Sequence, residues 1–141
     1  MKTTKLSKQV FILSVLFFGM FCNTSLFGIT GKGNVVTQKR AMSEFASIEL
    51  LSSANVEVVK GAGYEVIVSD YENILNYITT NVVNGQLVIS TDPSVQVYRS
   101  NPKVTVVMPE LNVISHKGDG DLEIKSNFES LSSSQFQEKV M

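Results

Sequence analysis

The sequence predicts an all-β chain, and three observations carry that reading. Apolar pairs two residues apart keep returning, as Ile48/Leu50, Val66/Val68, Leu87/Ile89, Val104/Val106 and Leu122/Ile124. Residues i and i+2 of a strand point to one face, so each pair reads as a strand with one buried side. The segments between them are punctuated by turn residues, at Gly61-Ala62-Gly63, Asn84-Gly85, Asp92-Pro93, Asn101-Pro102 and Gly118-Asp119-Gly120. Finally, the pairs recur at steps of about 20 residues, a period at which solenoids repeat.

The elements follow in chain order. Lys2, Lys5 and Lys8 precede an apolar run from Val10 to Cys22, the pattern of a secretory leader. Asn23-Thr24-Ser25 breaks the run, so residues 1–28 are expected to be a signal peptide removed near Ser25 or Gly28, rather than a retained anchor. Cys22 follows Phe21 where a lipoprotein site needs a small residue, so it reads as an ordinary apolar residue. Beyond the leader, Val56-Glu57-Val58, Glu65-Val66-Ile67-Val68, Leu87-Val88-Ile89-Ser90 and Lys103-Val104-Thr105-Val106 alternate or run β-branched, which suits a pleated, half-buried surface. Tyr71 to Ile78 is the one helical-looking stretch, with Ile74, Leu75 and Ile78 on one face.

A second apolar series, Val56/Val58, Ile78, Val95/Val97, Ile114 and Leu131, lies between members of the first. Phe45, Ile48, Val56 and Val58 also share their spacing with Leu111, Ile114, Leu122 and Ile124. Equivalent positions stacking into a continuous core would give a parallel β-helix. Strands at this spacing equally suit an antiparallel sandwich, and Asn84-Gly85 between Val82-Val83 and Leu87-Val88 is a strong hairpin signal. Spacing alone leaves the two open.

Composition narrows the function. Loss of residues 1–28 removes three lysines and the single cysteine, leaving 9 basic against 13 acidic residues and a formal charge of −4. That balance argues against nucleic acid as a partner, since binding it requires a concentrated basic surface. Without cysteine there is no disulfide or thiolate metal site, so stability must rest on ladder hydrogen bonds and apolar burial.

Phe45-x-x-Ile48, Ala54-Asn55-Val56-Glu57-Val58, Asn84-Gly85-x-Leu87-x-Ile89 and Pro109-x-Leu111 leading into Gly118-Asp119-Gly120-Asp121-Leu122 together resemble the head GIN domain of putative auto-transporter adhesins, a secreted family common in Bacteroidetes. The likeness runs from about Gly33 to Ser132. It implies a right-handed, single-stranded parallel β-helix, a β-solenoid, in the cell envelope or outside it, and brings no catalytic residues. The expected organisation is therefore a leader over 1–28, a solenoid domain over 29–132 and an irregular segment over 133–141. Phe128-x-x-Leu131 begins another coil, but Lys139 stands where the next apolar pair is due. On that reading the solenoid is incomplete at its C-terminus, by truncation or with a short cap.

Chemistry is sparse. His116 reads as a solvated polar residue, and Asp119-Gly120-Asp121 as a tight turn in which glycine takes positive φ and aspartate caps the backbone, since the later ligands of a calcium loop are missing. Gly31-Lys32-Gly33 and Gly61-Ala62-Gly63 lack the third glycine of a phosphate cradle. Asp70 and Glu72 read as a helix N-terminal cap sooner than as a carboxylate pair for sugar cleavage. Tyr64, Tyr71, Tyr77 and Tyr98 share no face and read as ordinary half-buried tyrosines, not a sugar platform.

No catalytic, cofactor-binding or metal-ligating residue is assigned, and no cofactor is expected. The functional expectation is a non-enzymatic, exported, adhesin-like binding module whose solvent-facing Glu57, Glu65, Thr105 and Glu123 meet a surface ligand, a glycan or a protein. A membrane would be met only through an uncleaved leader. The alternatives are a carbohydrate-binding or carbohydrate-active protein on the same scaffold, or a truncated fragment without function of its own.

Overall fold

The computed structural model describes residues 26–129, so the expected leader, apart from its last three residues, and the expected irregular segment over 133–141 lie outside the described residues. The described chain forms β1 (Phe27–Thr30), β2 (Val35–Ala41), β3 (Ser47–Leu50), β4 (Asn55–Lys60), β5 (Glu65–Tyr71), the single-turn helix α1 (Glu72–Leu75), β6 (Ile78–Val83), β7 (Gln86–Thr91), β8 (Val95–Tyr98), β9 (Lys103–Met108), β10 (Val113–His116) and β11 (Leu122–Ile124). These strands make a five-stranded sheet in the order β11-β4-β9-β5-β2, a four-stranded sheet in the order β10-β3-β7-β6 and a small pair, β1-β8.

Strict alternation builds the core. Val56, Val58, Val66, Val68, Val104 and Val106 of the larger sheet and Ile48, Leu50, Leu87 and Ile89 of the smaller one are buried in a single cluster. Phe45, Met108 and Leu111 belong to the same cluster, as do Ile74 and Leu75 of α1. Each such side chain contributes about 1.5–3 kcal/mol by leaving water.

This architecture corrects the expectation of a single-stranded β-helix. A solenoid keeps every strand parallel to the next coil, whereas here β5 runs antiparallel to both β9 and β2, and β6 antiparallel to β7. Two reversals cause it. The chain turns back through Gly61-Ala62-Gly63 between β4 and β5, and through Asn84-Gly85 between β6 and β7. Asn84 and Gly85 both have positive φ, 50° and 73°, as a two-residue type I′ hairpin demands. Nor are the parallel strands stacked in chain order, because β3 lies between β7 and β10. The result is sandwich-like with mixed sheets, and so differs from a purely antiparallel sandwich too. The recurring apolar pairs are not one wall: Ile48/Leu50 and Leu87/Ile89 belong to the smaller sheet, the other three pairs to the larger.

One part of the repeat is real. Ile114 pairs with Ile48, Leu122 with Val56 and Ile124 with Val58, as the shared spacing of those segments requires. The loop after β10 therefore sits on the loop after β3. Lys117 and Gly118 N–H donate to the Leu50 carbonyl, both at 2.9 Å, and Val56 N–H donates to Asp121 O at 2.7 Å. A Cβ on Gly118 would lie 2.1 Å from Ser52 O, and one on Gly120 would lie 1.9 Å from Ala54 O. Neither glycine has positive φ. These residues are glycine because backbone meets backbone, not because the turn is left-handed.

At the other end of the sheets, Arg40 of β2 ties the two layers together. Its guanidinium donates to Leu75 O at 3.0 Å, Ile78 O at 2.7 Å, Thr80 Oγ1 at 3.0 Å and twice to Gln38 Oε1. All five N–H donors are thereby used. Burial holds its pKa below the usual arginine value.

Two predictions follow from these contacts. Gly120→Ala should lower stability by about 1–3 kcal/mol in urea unfolding, because backbone must shift. Gly63→Ala, with nothing within 4 Å of the new methyl, should change it by less than about 0.5 kcal/mol; equal effects would refute the packing argument. Arg40→Met should cost about 2 kcal/mol by stranding charge-assisted bonds, and Arg40→Lys should recover little, since one ammonium cannot span three carbonyl and amide oxygens. Full recovery by lysine would sink that account.

Candidate functional site

The outer face of the five-stranded sheet collects most of the predicted contact residues. Register places Glu123 beside Glu57 and Glu57 beside Thr105, a cross-strand row over β11, β4 and β9. Glu65 falls one row along, opposite Val107. Lys125 answers the two glutamates, with Nζ 2.7 Å from Glu123 and 3.8 Å from Glu57. The hydrogen bond to Glu123, helped by both carboxylates' charge, raises the Lys125 pKa. Lys39 lies 3.6 Å from Glu65 at the opposite side of the face.

Between these charges lie residues not identified from the sequence as part of the face. Val59 pairs with Val107, and Ile67 lies between Thr105 and Lys39 in register; all three are half-buried. Their signal was present in Val58-Val59, Val66-Ile67-Val68 and Val106-Val107, where apolar residues run consecutively and so must occupy both faces. Gly61 belongs to this patch as well, since a Cβ there would be 2.4 Å from Val107 Cγ1. An apolar centre inside a charged rim is the anatomy of a protein interface.

The other candidates serve the fold. Asp70 follows Val66 and Val68 on the inward side of β5 and is 2% exposed. Its carboxylate accepts the Tyr71 N–H at 2.8 Å and a short bond from the Ser100 hydroxyl. Asp70 is thus not the helix cap that the sequence suggests: the N-cap of α1 is Tyr71, with no side-chain cap bond. Glu72 is exposed, so the two carboxylates do not converge on a substrate. Nearby, Ser53, Ile74, Ile78, Thr91, Val97, Ser100 and Pro102 line a cavity of about 40 Å³, large enough for a water molecule and far too small for a sugar ring.

His116 is not simply solvated. It is half-buried, and its Nε2 donates to the Gly120 carbonyl at 2.6 Å, closing the loop that carries Asp119 and Asp121. Those two aspartates are exposed. The tyrosines are dispersed, Tyr64 packing on Phe45 with ring centroids 5.3 Å apart, and Tyr71 and Tyr98 flanking the β1 segment at Gly31 and Gly28. Among the described residues no three His, Cys, Asp or Glu gather as a metal site, and no helix is long and apolar enough to cross a membrane.

The described residues form a small all-β module of mixed sheets whose larger sheet has an outer face of half-buried apolar residues among charges. The chain belongs to the family described as putative auto-transporter adhesin, head GIN domain, whose model matches residues 44–136. Among solved structures it is similar to a putative adhesin from Bacteroides fragilis, at 27% identity and a TM-score of 0.67, over 72% of this chain and 48% of that one. A putative adhesin from Parabacteroides merdae shares the fold at 14% identity and a TM-score of 0.64, over 72% and 43%. A putative lipid binding protein from Parabacteroides distasonis does so at 23% identity and 0.55, over 63% and 40%. The chain therefore spans less than half the length of these solved relatives. No curated protein matches it.

Asp70→Ala should cost about 1–3 kcal/mol, because the Ser100 hydroxyl and Tyr71 N–H lose their acceptor, while Asp70→Asn keeps an acceptor oxygen and should cost less. Unfolding midpoints in urea would check this, and a neutral Asp70→Ala would show that the buried carboxylate is dispensable.

Proposed function

We propose that this chain is a non-enzymatic, exported binding module of adhesin type that meets a protein surface through the outer face of its five-stranded sheet. The observation that carries the reading is the Val59, Ile67 and Val107 centre ringed by Glu57, Glu123, Lys125, Glu65 and Lys39. Such a face excludes water from a few apolar contacts while the rim charges set orientation. Membership of an adhesin family supports it, as does the Bacteroides fragilis relative.

The carbohydrate reading is the competitor. A sugar-cleaving enzyme needs an acid and a base converging on one cleft. Asp70 is engaged with Ser100 in the interior and Glu72 faces solvent, which favours binding over catalysis.

Beads coated with the exported protein should adhere to an epithelial cell layer, and Val107→Asp with Glu57→Lys should reduce adhesion at least tenfold while circular dichroism stays unchanged. Retained adhesion by that folded variant would remove the face from the proposal. Adhesion abolished by prior enzymatic deglycosylation of the cells would make the ligand a glycan, and release of reducing ends from a polysaccharide would end the non-enzymatic reading.

A further inference from the structure

The larger sheet ends on β11, which pairs with β4 on one side only. Val56 N–H donates to Asp121 O at 2.7 Å, and Lys125 N–H donates to Val58 O at 2.9 Å. In a parallel pair, residues that bond across alternate with residues whose backbone groups turn the other way. The N–H and C=O groups of Leu122 and Ile124 therefore turn away from β4. Among the described residues they meet no partner. The side chains of this strand are also incompletely covered. Leu122 and Ile124 stand opposite Val56 and Val58, which are 1% and 0% exposed, yet both are only half-buried.

We propose that β11 pairs antiparallel with β11 of a second copy, about a two-fold axis through Ile124, joining the two larger sheets into one. Ile124 then meets Ile124 as a hydrogen-bonded pair, each N–H donating to the other's carbonyl. Glu123 of each copy faces Lys125 of the other at the adjacent non-hydrogen-bonded positions, where side chains approach most closely.

Charge selects this register. An axis through Leu122 would set Asp121 against Glu123, and one through Glu123 would set two glutamates together, like charges that oppose pairing. A lysine on an edge strand ordinarily deters another strand. Here Glu123 of the second copy answers Lys125. The same axis covers the inward side of Ile124, which β4 leaves partly open. Continuation of the chain is a poorer occupant of the edge. At the offset that separates Phe128 from Leu111, Lys139 stands in place of Leu122, and a charge there would have to enter an apolar interior. The two-fold contact closes on two copies, and its small size makes a dimer that dissociates on dilution. It sets the outer faces of two copies side by side, and it holds whatever those faces bind.

Sedimentation velocity of the exported full chain over a dilution series tests the pairing. The expected species is a dimer in reversible exchange with monomer. Glu123→Lys sets a second lysine against Lys125 and should raise the dissociation constant at least about tenfold, and Lys125→Glu should do the same by opposing carboxylates. Mixed in equal amounts, the two weakened variants should dimerise as tightly as wild type, because each supplies the charge that the other lacks. Both positions are exposed, so circular dichroism of each variant should match wild type. Recovery on mixing has no explanation in a folding defect. A chain that is monomeric at every concentration, single variants that dimerise within about twofold of wild type, or a mixture that stays dissociated would each overturn the pairing.

Discussion

The described fold depends on two sheets sharing one apolar interior through alternate residues. A strand with a single buried face cannot slip by one position without turning its whole apolar set to water, so each register is pinned by its own valines and isoleucines. Val56, Val104 and Leu122 lie side by side in the larger sheet, as do Ile48, Leu87 and Ile114 in the smaller. Once these rows are fixed, the outward residues are fixed as well. The arrangement of Glu57, Thr105 and Glu123 is a by-product of where Val56, Val104 and Leu122 have to be.

Much of the local structure is legible in the sequence, and much of the topology is not. The Asn84-Gly85 reversal, the short helix between two strands and the pairing of Ile48 with Ile114 can be read from residue types and spacing. An i, i+2 apolar pair, however, announces only that one side of a strand is buried. Ile48/Leu50 and Val56/Val58 look alike and belong to different sheets. A roughly constant period then imitates a solenoid although successive pairs fall in different sheets and β5 and β6 reverse direction. Asp70 is the instructive case within the site: its phase with Val66 and Val68 already places it inward, while the helical residues after it make it look like a cap.

Polar groups of the kind that catalysts use are here committed to structure. Arg40 saturates five donors between layers, Asp70 holds Ser100 and the backbone of Tyr71, and His116 closes a loop on Gly120. At the turn into β8, Asp92 accepts the Ser94 hydroxyl at 2.6 Å and its N–H at 2.9 Å, bonds that hold its pKa below the ordinary carboxylate value. On the proposed reading, recognition falls to the sheet face.

The loops differ in how much change they tolerate. Where Gly118 and Gly120 press on the backbone of residues 51–54, neither loop has room to lengthen. The Ala62–Gly63 turn is the reverse: it is exposed, and a side chain at Gly63 would meet nothing. It also joins β4 to β5 beside the Val107 end of the outer face. Inserted residues there would extend the reach of that face while leaving the shared interior untouched, so this turn is the natural place to graft a peptide and give the scaffold a new specificity.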